Sequence, residues 1–160
     1  MKVLLVFYSK LLEESDLPKK VGEKVNILKK LIGPDSLYAV ITTEMKDFMD
    51  RFPDLVFIRN DNGTFLYGLY KGLKKLRGND VLVLDPSQVI NIDKIKEFIS
   101  KRRKNVLYLL NGEWKGMALL RLIDLDYFIR TVEALLSEEK DISVIMERVK
   151  EDYGIEYETL

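Results

Sequence analysis

The chain has no cysteine and no histidine. That removes thiol nucleophiles, Cys/His zinc centres, Ser-His-Asp triads and imidazole acid–base chemistry in one step. Any reaction would have to use carboxylates, Lys, Arg, Tyr, Ser, Thr, backbone amides or an oxygen-liganded metal. An excess of one charge is also missing: 26 Lys+Arg balance 26 Asp+Glu. A dedicated polyanion binder is therefore not expected, and nucleic acid is excluded as a partner. No apolar run approaches the roughly 20 residues of a membrane span, so no membrane partner is expected. Val3–Tyr8 is too short for a signal h-region and has no small-residue cleavage site, which points to a cytoplasmic protein. Glutamine occurs once, at Gln88; with no cysteine and abundant Lys and Glu, this is the composition of a thermophile protein.

What is present is a folded-domain composition. The 160 residues are 47% hydrophobic and 32% charged, which suits one domain and excludes a disordered chain. A chain of this length buries roughly 68–70% of its unfolded surface and needs no disulfide to hold a core. Short apolar runs recur at Val3–Tyr8, Leu37–Thr42, Leu55–Ile58, Val81–Leu84 and Val106–Leu110. Such unbroken runs suit strands covered on both faces. Between them, helical periodicity is expected over Val25–Leu31, Glu44–Phe52, Thr64–Leu76 and Asn91–Arg103. The alternation predicts an α/β fold: a single three-layer αβα domain with a mainly parallel, Rossmann-like sheet. Right-handed crossovers place the first four strands in the order 3-2-1-4.

The last third is less regular. Met117–Ile123 reads as a strand, Asp126–Leu136 and Asp141–Lys150 as helices, and Ile155–Leu160 as a terminal strand. Lys101-Arg102-Arg103-Lys104 reads as a solvated helix end, where cations suit the macrodipole. Trp114 lies between two strands and either lines a pocket or caps the sheet. Gly68 and Gly72, four apart in one helix, suit close packing on the sheet.

In open parallel sheets, ligands sit beyond the carboxyl ends of the strands where strand order reverses. Three segments should meet there: a long loop Ser9–Gly22, the turn Arg59–Thr64, and Asp85-Pro86-Ser87-Gln88. Neither a GxxxxGK[ST] loop nor a GxGxxG after the first strand is present. Asn62 or Thr64 would serve as an ordinary helix cap. Asp85 before Pro86 would equally suit a simple chain exit.

At these loops the sequence resembles the nucleotidyltransferase family with the nucleotide-diphospho-sugar transferase (glycosyltransferase-A-like) fold. Leu17-Pro18-Lys19 is similar to its Leu-Pro-Lys motif, and Gly22-Glu23-Lys24 to the turn before its first helix. Asn60 or Asn62, followed by Gly68-Leu69-Tyr70-Lys71-Gly72-Leu73, resembles its Asn-containing loop. Val81–Ser87 resembles the strand that ends in a metal-holding Asp, and Asp141–Leu160 the tail of small members. The resemblance implies joining of an NTP to a phospho-sugar or phospho-alcohol with Mg²⁺. It assigns catalytic roles to Lys19 and Asp85, with Asp85 as the metal ligand. Nucleotide contacts would come from Ser9, Lys10, Asn60, Asn62 and Ser87, and the ligand would be a nucleotide or nucleotide-sugar.

Two departures shape the expectation. Ser9–Ser15 replaces the family's Gly-rich loop, and Ser87 can fall where the metal carboxylate belongs. A hydroxyl there loses much of the Mg²⁺ affinity and phosphate neutralisation. The expectation is one degenerate nucleotidyltransferase-like domain over 1–160, with weak or no transfer. The alternative is a non-enzymatic α/β domain binding a small ligand or a protein partner. A flavodoxin-like or phosphoacceptor domain fits less well, because Ser9–Leu12 supply neither a phosphate loop nor an acidic pair.

Overall fold

Periodicity in the buried positions explains the architecture of the computed structural model, which describes every residue except Ile90 and Arg102. The basic cluster at 101–104 and the expected helix over Asn91–Arg103 therefore lie partly outside the described residues. In strand β1 (Lys2–Val6), Val3 and Leu5 face one apolar cluster while Leu4 and Val6 face another. Both faces of the strand are buried, so the unbroken apolar run is what the position demands.

The chain continues through α1 (Leu17–Ile32), β2 (Leu37–Ile41), α2 (Phe48–Arg51), β3 (Val56–Arg59), α3 (Phe65–Lys75) and β4 (Val81–Leu84). Next come α4 (Ile92–Ser100), β5 (Asn105–Leu110), β6 (Glu113–Leu120), α5 (Leu125–Ala134), α6 (Ile142–Tyr153) and β7 (Tyr157–Thr159). The seven strands form one sheet in the order β3-β2-β1-β4-β6-β5-β7. β1 pairs in parallel with β2 and β4, as β2 does with β3, so the expected 3-2-1-4 order is present. β6 is antiparallel to both β4 and β5, and β7 runs parallel to β5.

The helices divide between the faces. α1, α2 and α4 cover the side of Leu5 and Leu82, and α3, α5 and α6 cover the side of Leu4 and Val83. Successive right-handed crossovers to β2 and β3 keep α1 and α2 on one side. The return from β3 to β4 reverses direction and carries α3 to the other. Strand order thus switches between β1 and β4, where a crevice should open. Gly72 of α3 comes so near the sheet that an added Cβ would stand 2.5 Å from Leu4 Cδ2.

Several boundaries correct the sequence reading. Ser9–Gly22 is not a long loop: Ser9–Glu13 is a 3-10 turn and α1 already begins at Leu17. Pro18 sits in the first turn of α1, where a missing N–H and a fixed φ favour the helix start. Gly22-Glu23-Lys24 is consequently inside the helix and precedes nothing. The strand expected at Met117–Ile123 runs Glu113–Leu120 instead. Asn111 (φ 54°) and Gly112 (φ 78°) form a two-residue turn joining it to β5.

Candidate functional site

At the carboxyl edge of the sheet, β1 and β3 are stitched together just beyond their ends. Ser9 N–H donates to the Gly63 carbonyl at 2.9 Å. Gly63 has φ +77°, and a Cβ there would lie 2.4 Å from Ser9 Oγ. The β3–α3 loop is organised by Asn60, which is fully buried. Its Nδ2 donates to the Thr64 carbonyl at 3.0 Å, and its Oδ1 accepts from Asn62 N–H at 3.3 Å. Asn62 Oδ1 in turn accepts from Thr64 Oγ1 at 2.6 Å, and Thr64 caps α3.

Against this stitched pair lies a cleft of about 580 Å³. One wall is Tyr8-Ser9-Lys10 and the Asn62–Tyr67 segment, including the first turn of α3; the other is Leu136–Lys140, between α5 and α6. Aromatic and aliphatic surface from Tyr8, Phe65 and Leu136 sits beside Ser, Thr and Asn side chains. Lys10 and Lys140 are offset by Glu138 and Glu139, so the lining carries no strong field of either sign. The turn after β1 also uses its amides internally: Leu11 N–H donates to Tyr8 O at 2.9 Å and Glu14 N–H to Leu11 O at 3.1 Å.

Asp85 leaves β4 on the same edge, but it is tied into a knot beside the cleft. Only 7% of it is exposed. Tyr8 Oη donates to its Oδ2 at 3.0 Å, and Ser87 donates to its Oδ1 twice, from N at 2.9 Å and from Oγ at 2.7 Å. Lys24, on the buried face of α1, donates to the Pro86 carbonyl. Burial lowers the Lys24 pKa, while the charges of Asp85 and Glu14 pull it back up. Burial, with the Asp85 charge next in weight, pushes the Tyr8 phenol up to about 12. Tyr8 also packs edge-on against Phe65 at 5.7 Å between centroids, and Phe65 against Trp114 at 5.5 Å. Trp114 Nε1 donates to the Met117 carbonyl at 3.0 Å, so its ring closes the sheet edge and is not part of the cleft lining.

The residues singled out in the sequence therefore separate into three groups. Ser9, Lys10 and Asn62 line the cleft. Asp85 and Ser87 form the adjoining knot, so the three loops share an edge without sharing one cavity. Asn60 and Lys19 do not take the expected positions. Asn60 has no surface to offer a ligand, and Lys19 is exposed on the first turn of α1, outside the lining. Glu113, at the start of β6, is exposed and pairs with Lys115 at 3.1 Å, so it brings no free carboxylate to the edge.

Two contributors were missed. Leu136–Lys140 reaches the cleft only through tertiary packing, for which the sequence carries no local signal. Lys24 had one: it interrupts the apolar stripe Val21, Val25, Leu28 of α1.

A divalent cation does not fit the residues around Asp85. Both carboxylate oxygens already accept hydrogen bonds, and the Lys24 ammonium stands close by. Among the described residues, no group of three or more Asp, Glu, His or Cys side chains is placed to hold a metal. No helix there is long and apolar enough to cross a membrane.

The fold defined by this strand order and edge is that of the nucleotide-diphospho-sugar transferases. No protein-family model and no curated protein matches the sequence. Among solved structures, 4-diphosphocytidyl-2C-methyl-D-erythritol synthase from Anaerococcus prevotii superposes with a TM-score of 0.73 at 13% identity, over 99% of this chain and 85% of that one. Molybdopterin-guanine dinucleotide biosynthesis protein A from Archaeoglobus fulgidus gives 0.67 at 12% identity, over 100% and 83%. The CTP:phosphocholine cytidylyltransferase of Streptococcus pneumoniae gives 0.60 at 11%, over 99% and 89%.

Proposed function

We propose that this chain is a nucleotidyltransferase-like domain whose cleft takes a nucleotide or nucleotide-sugar and whose transfer activity is weak or absent. The fold and the position of the cleft support the first half of this reading, together with the cytidylyltransferase named among the structural neighbours. The Asp85 knot carries the second half. Nucleotidyl transfer depends on electrostatic stabilisation of the phosphates, and losing one preorganised partner commonly costs about 10²–10³ in rate. Here the carboxylate accepts three hydrogen bonds from Tyr8 and Ser87, on both of its oxygens, and the amides of Ser9, Leu11 and Glu14 donate within the protein. The same observation favours a second reading, a non-enzymatic domain that binds a small ligand or a protein partner.

A thermal-shift screen of NTPs and nucleotide-sugars tests the cleft. A ligand at 100 times its Kd adds about 2.7 kcal/mol, which corresponds to roughly 5–11 °C for a domain of this size. A pyrophosphate-release assay over the four NTPs with phospho-sugar and phospho-alcohol acceptors tests transfer. Little or no turnover is expected; robust Mg²⁺-dependent turnover that Asp85→Asn abolishes would overturn the degenerate reading.

A further inference from the structure

Lys24 is a residue of the edge whose placement the cleft does not require. It occupies the sheet-facing stripe of α1 between Val21, Val25 and Leu28, with 9% of its surface exposed. An ammonium in that position must be compensated or it destabilises the fold. Its surroundings are oxygens. It donates to the Pro86 carbonyl, and the carboxylates of Asp85 and Glu14 both favour its charged form. Glu14 Oε2 is buried with no hydrogen-bond partner, its nearest cation being Lys20 Nζ at 3.7 Å. Carbonyl and carboxylate oxygens are the donors a hard divalent cation takes. On this chain a side chain of the protein's own helix stands among them.

We propose that the Lys24 ammonium is a built-in cation that holds the place of a divalent metal beside Asp85, so that the cleft takes its ligand without Mg²⁺. The ligand half rests on the nucleotide reading above; the cation half stands on the Lys24 surroundings alone. The position is fixed because the helix cannot slide: Leu17, Val21, Val25 and Leu28 lock its register against the sheet. Asp85 has about four lone-pair directions, and Tyr8, Ser87 N–H and Ser87 Oγ–H use three. A divalent ion would find one direction left on this carboxylate and would sit near a like charge.

Mn²⁺ alone is the first probe, titrated into the whole chain and followed by the free-ion paramagnetic resonance signal. The wild type should show no saturable site in the range of weak protein cation sites, about 10⁻⁴–10⁻³ M. Lys24→Met keeps the unbranched apolar stem, one atom shorter, and removes the charge. It should bind Mn²⁺ at least about tenfold more tightly than wild type, a low floor for removing a like charge from the surroundings of Asp85. Adding Asp85→Asn should abolish the gain. A wild-type Mn²⁺ site that Asp85→Asn eliminates overturns the proposal, and that measurement holds even if Lys24→Met fails to fold. A folded Lys24→Met with no gain overturns it equally. In the second arm, nucleotide affinity should be the same in EDTA as in Mg²⁺, and a strict Mg²⁺ requirement counts against the proposal. Failure of every nucleotide to bind overturns the reading of the cleft, while the Mn²⁺ arm still judges Lys24 by itself.

Discussion

Replacing Asp85 by Asn preserves shape and removes one charge, which makes it a sharp probe of what this carboxylate does. It accepts three hydrogen bonds and is 7% exposed. In the variant the amide oxygen can keep both Ser87 donors, and the Tyr8 hydroxyl can turn to accept from the new NH₂. The geometry therefore survives and the charge is what is lost. Bonds to a charged group contribute about 1.5–3 kcal/mol, against about 0.5–1.5 for neutral ones. Lys24 also loses the nearby charge of Asp85, which favours its ammonium form without touching it. Removing one member of a buried pair costs about 3–5 kcal/mol when the survivor is left alone. Lys24 keeps the Pro86 carbonyl and Glu14, so the loss should be smaller, about 2–3 kcal/mol on the same scale.

Urea denaturation at pH 7 in metal-free buffer reads this directly, and a melt should fall by roughly 4–12 °C at about 2–4 °C per kcal/mol. A carboxylate kept for a metal behaves in the opposite way. Without its ion it is an uncompensated buried charge, and neutralising it leaves stability unchanged or raised. An Asp85→Asn midpoint at or above wild type would thus refute the structural role of the knot. Lys24→Met should lose less, because Asp85 keeps its three donors. The double-mutant cycle should show a coupling of about 1–2 kcal/mol.

Tyr8 and Tyr157 should ionise near pH 12 in an absorbance titration, with Tyr8→Phe removing one of these two late steps. The native state holds the Tyr8 proton more tightly than the unfolded chain. Its stabilisation is therefore complete below pH 10 and lost as pH rises from 10 through about 12. Two units are nominally about 2.7 kcal/mol, and partial exposure of Tyr8 screens this to about 1 kcal/mol; a titration with no step near pH 12 that Tyr8→Phe removes would contradict it. Gly72→Ala should destabilise by about 1 kcal/mol net, overpacking against the fully buried Leu4 outweighing the gain in helix propensity. Gly22→Ala, whose Cβ would meet Phe52 at an ordinary 3.6 Å, should stabilise by about 0.5–1 kcal/mol in the same urea assay. Asn60→Ala leaves Asn62 N–H without its acceptor and takes one of two donors from the Thr64 carbonyl, which keeps Gly68 N–H, and should cost about 1–3 kcal/mol; an unchanged midpoint would show the loop is held otherwise.

The parallel half of the sheet was legible because doubly buried strands leave unbroken apolar runs. Val81–Leu84 and Leu37–Ile41 could hardly be anything else, and handedness then set their order. The second half was harder for identifiable reasons. Glu113, Trp114 and Lys115 begin β6 with polar, half-exposed residues, so the strand was expected only from Met117 onward. Asn111-Gly112 is a hairpin signal in its own right, and placing Trp114 between two strands passed over it. Pro18 was read as part of a loop motif when it opens a helix. For the cleft, strand order pointed to the edge, and the family resemblance to Ser9, Lys10 and Asn62. They could not show that Asn60 turns inward, since an Asn that builds a loop and one that binds a ligand look alike in sequence.

The knot also decides whether one substitution could restore transfer. Ser87→Asp puts a carboxylate where the family resemblance calls for one, yet it removes the Oγ–H that now serves Asp85. Two carboxylates would then share a buried edge with a single ammonium, and like charges at such spacing raise one of the two pKa values rather than gather a metal. The backbone N–H of residue 87 would remain committed to Asp85, and the Ser9–Glu13 turn would still keep its amides to itself. Ser87→Asp alone should therefore stay inactive in the pyrophosphate assay and lose stability. Mn²⁺ binding should emerge only when Lys24→Met is added, because the cation already present must leave before another can enter. Mg²⁺-dependent turnover from Ser87→Asp alone would show that Lys24 moves aside more easily than its burial implies.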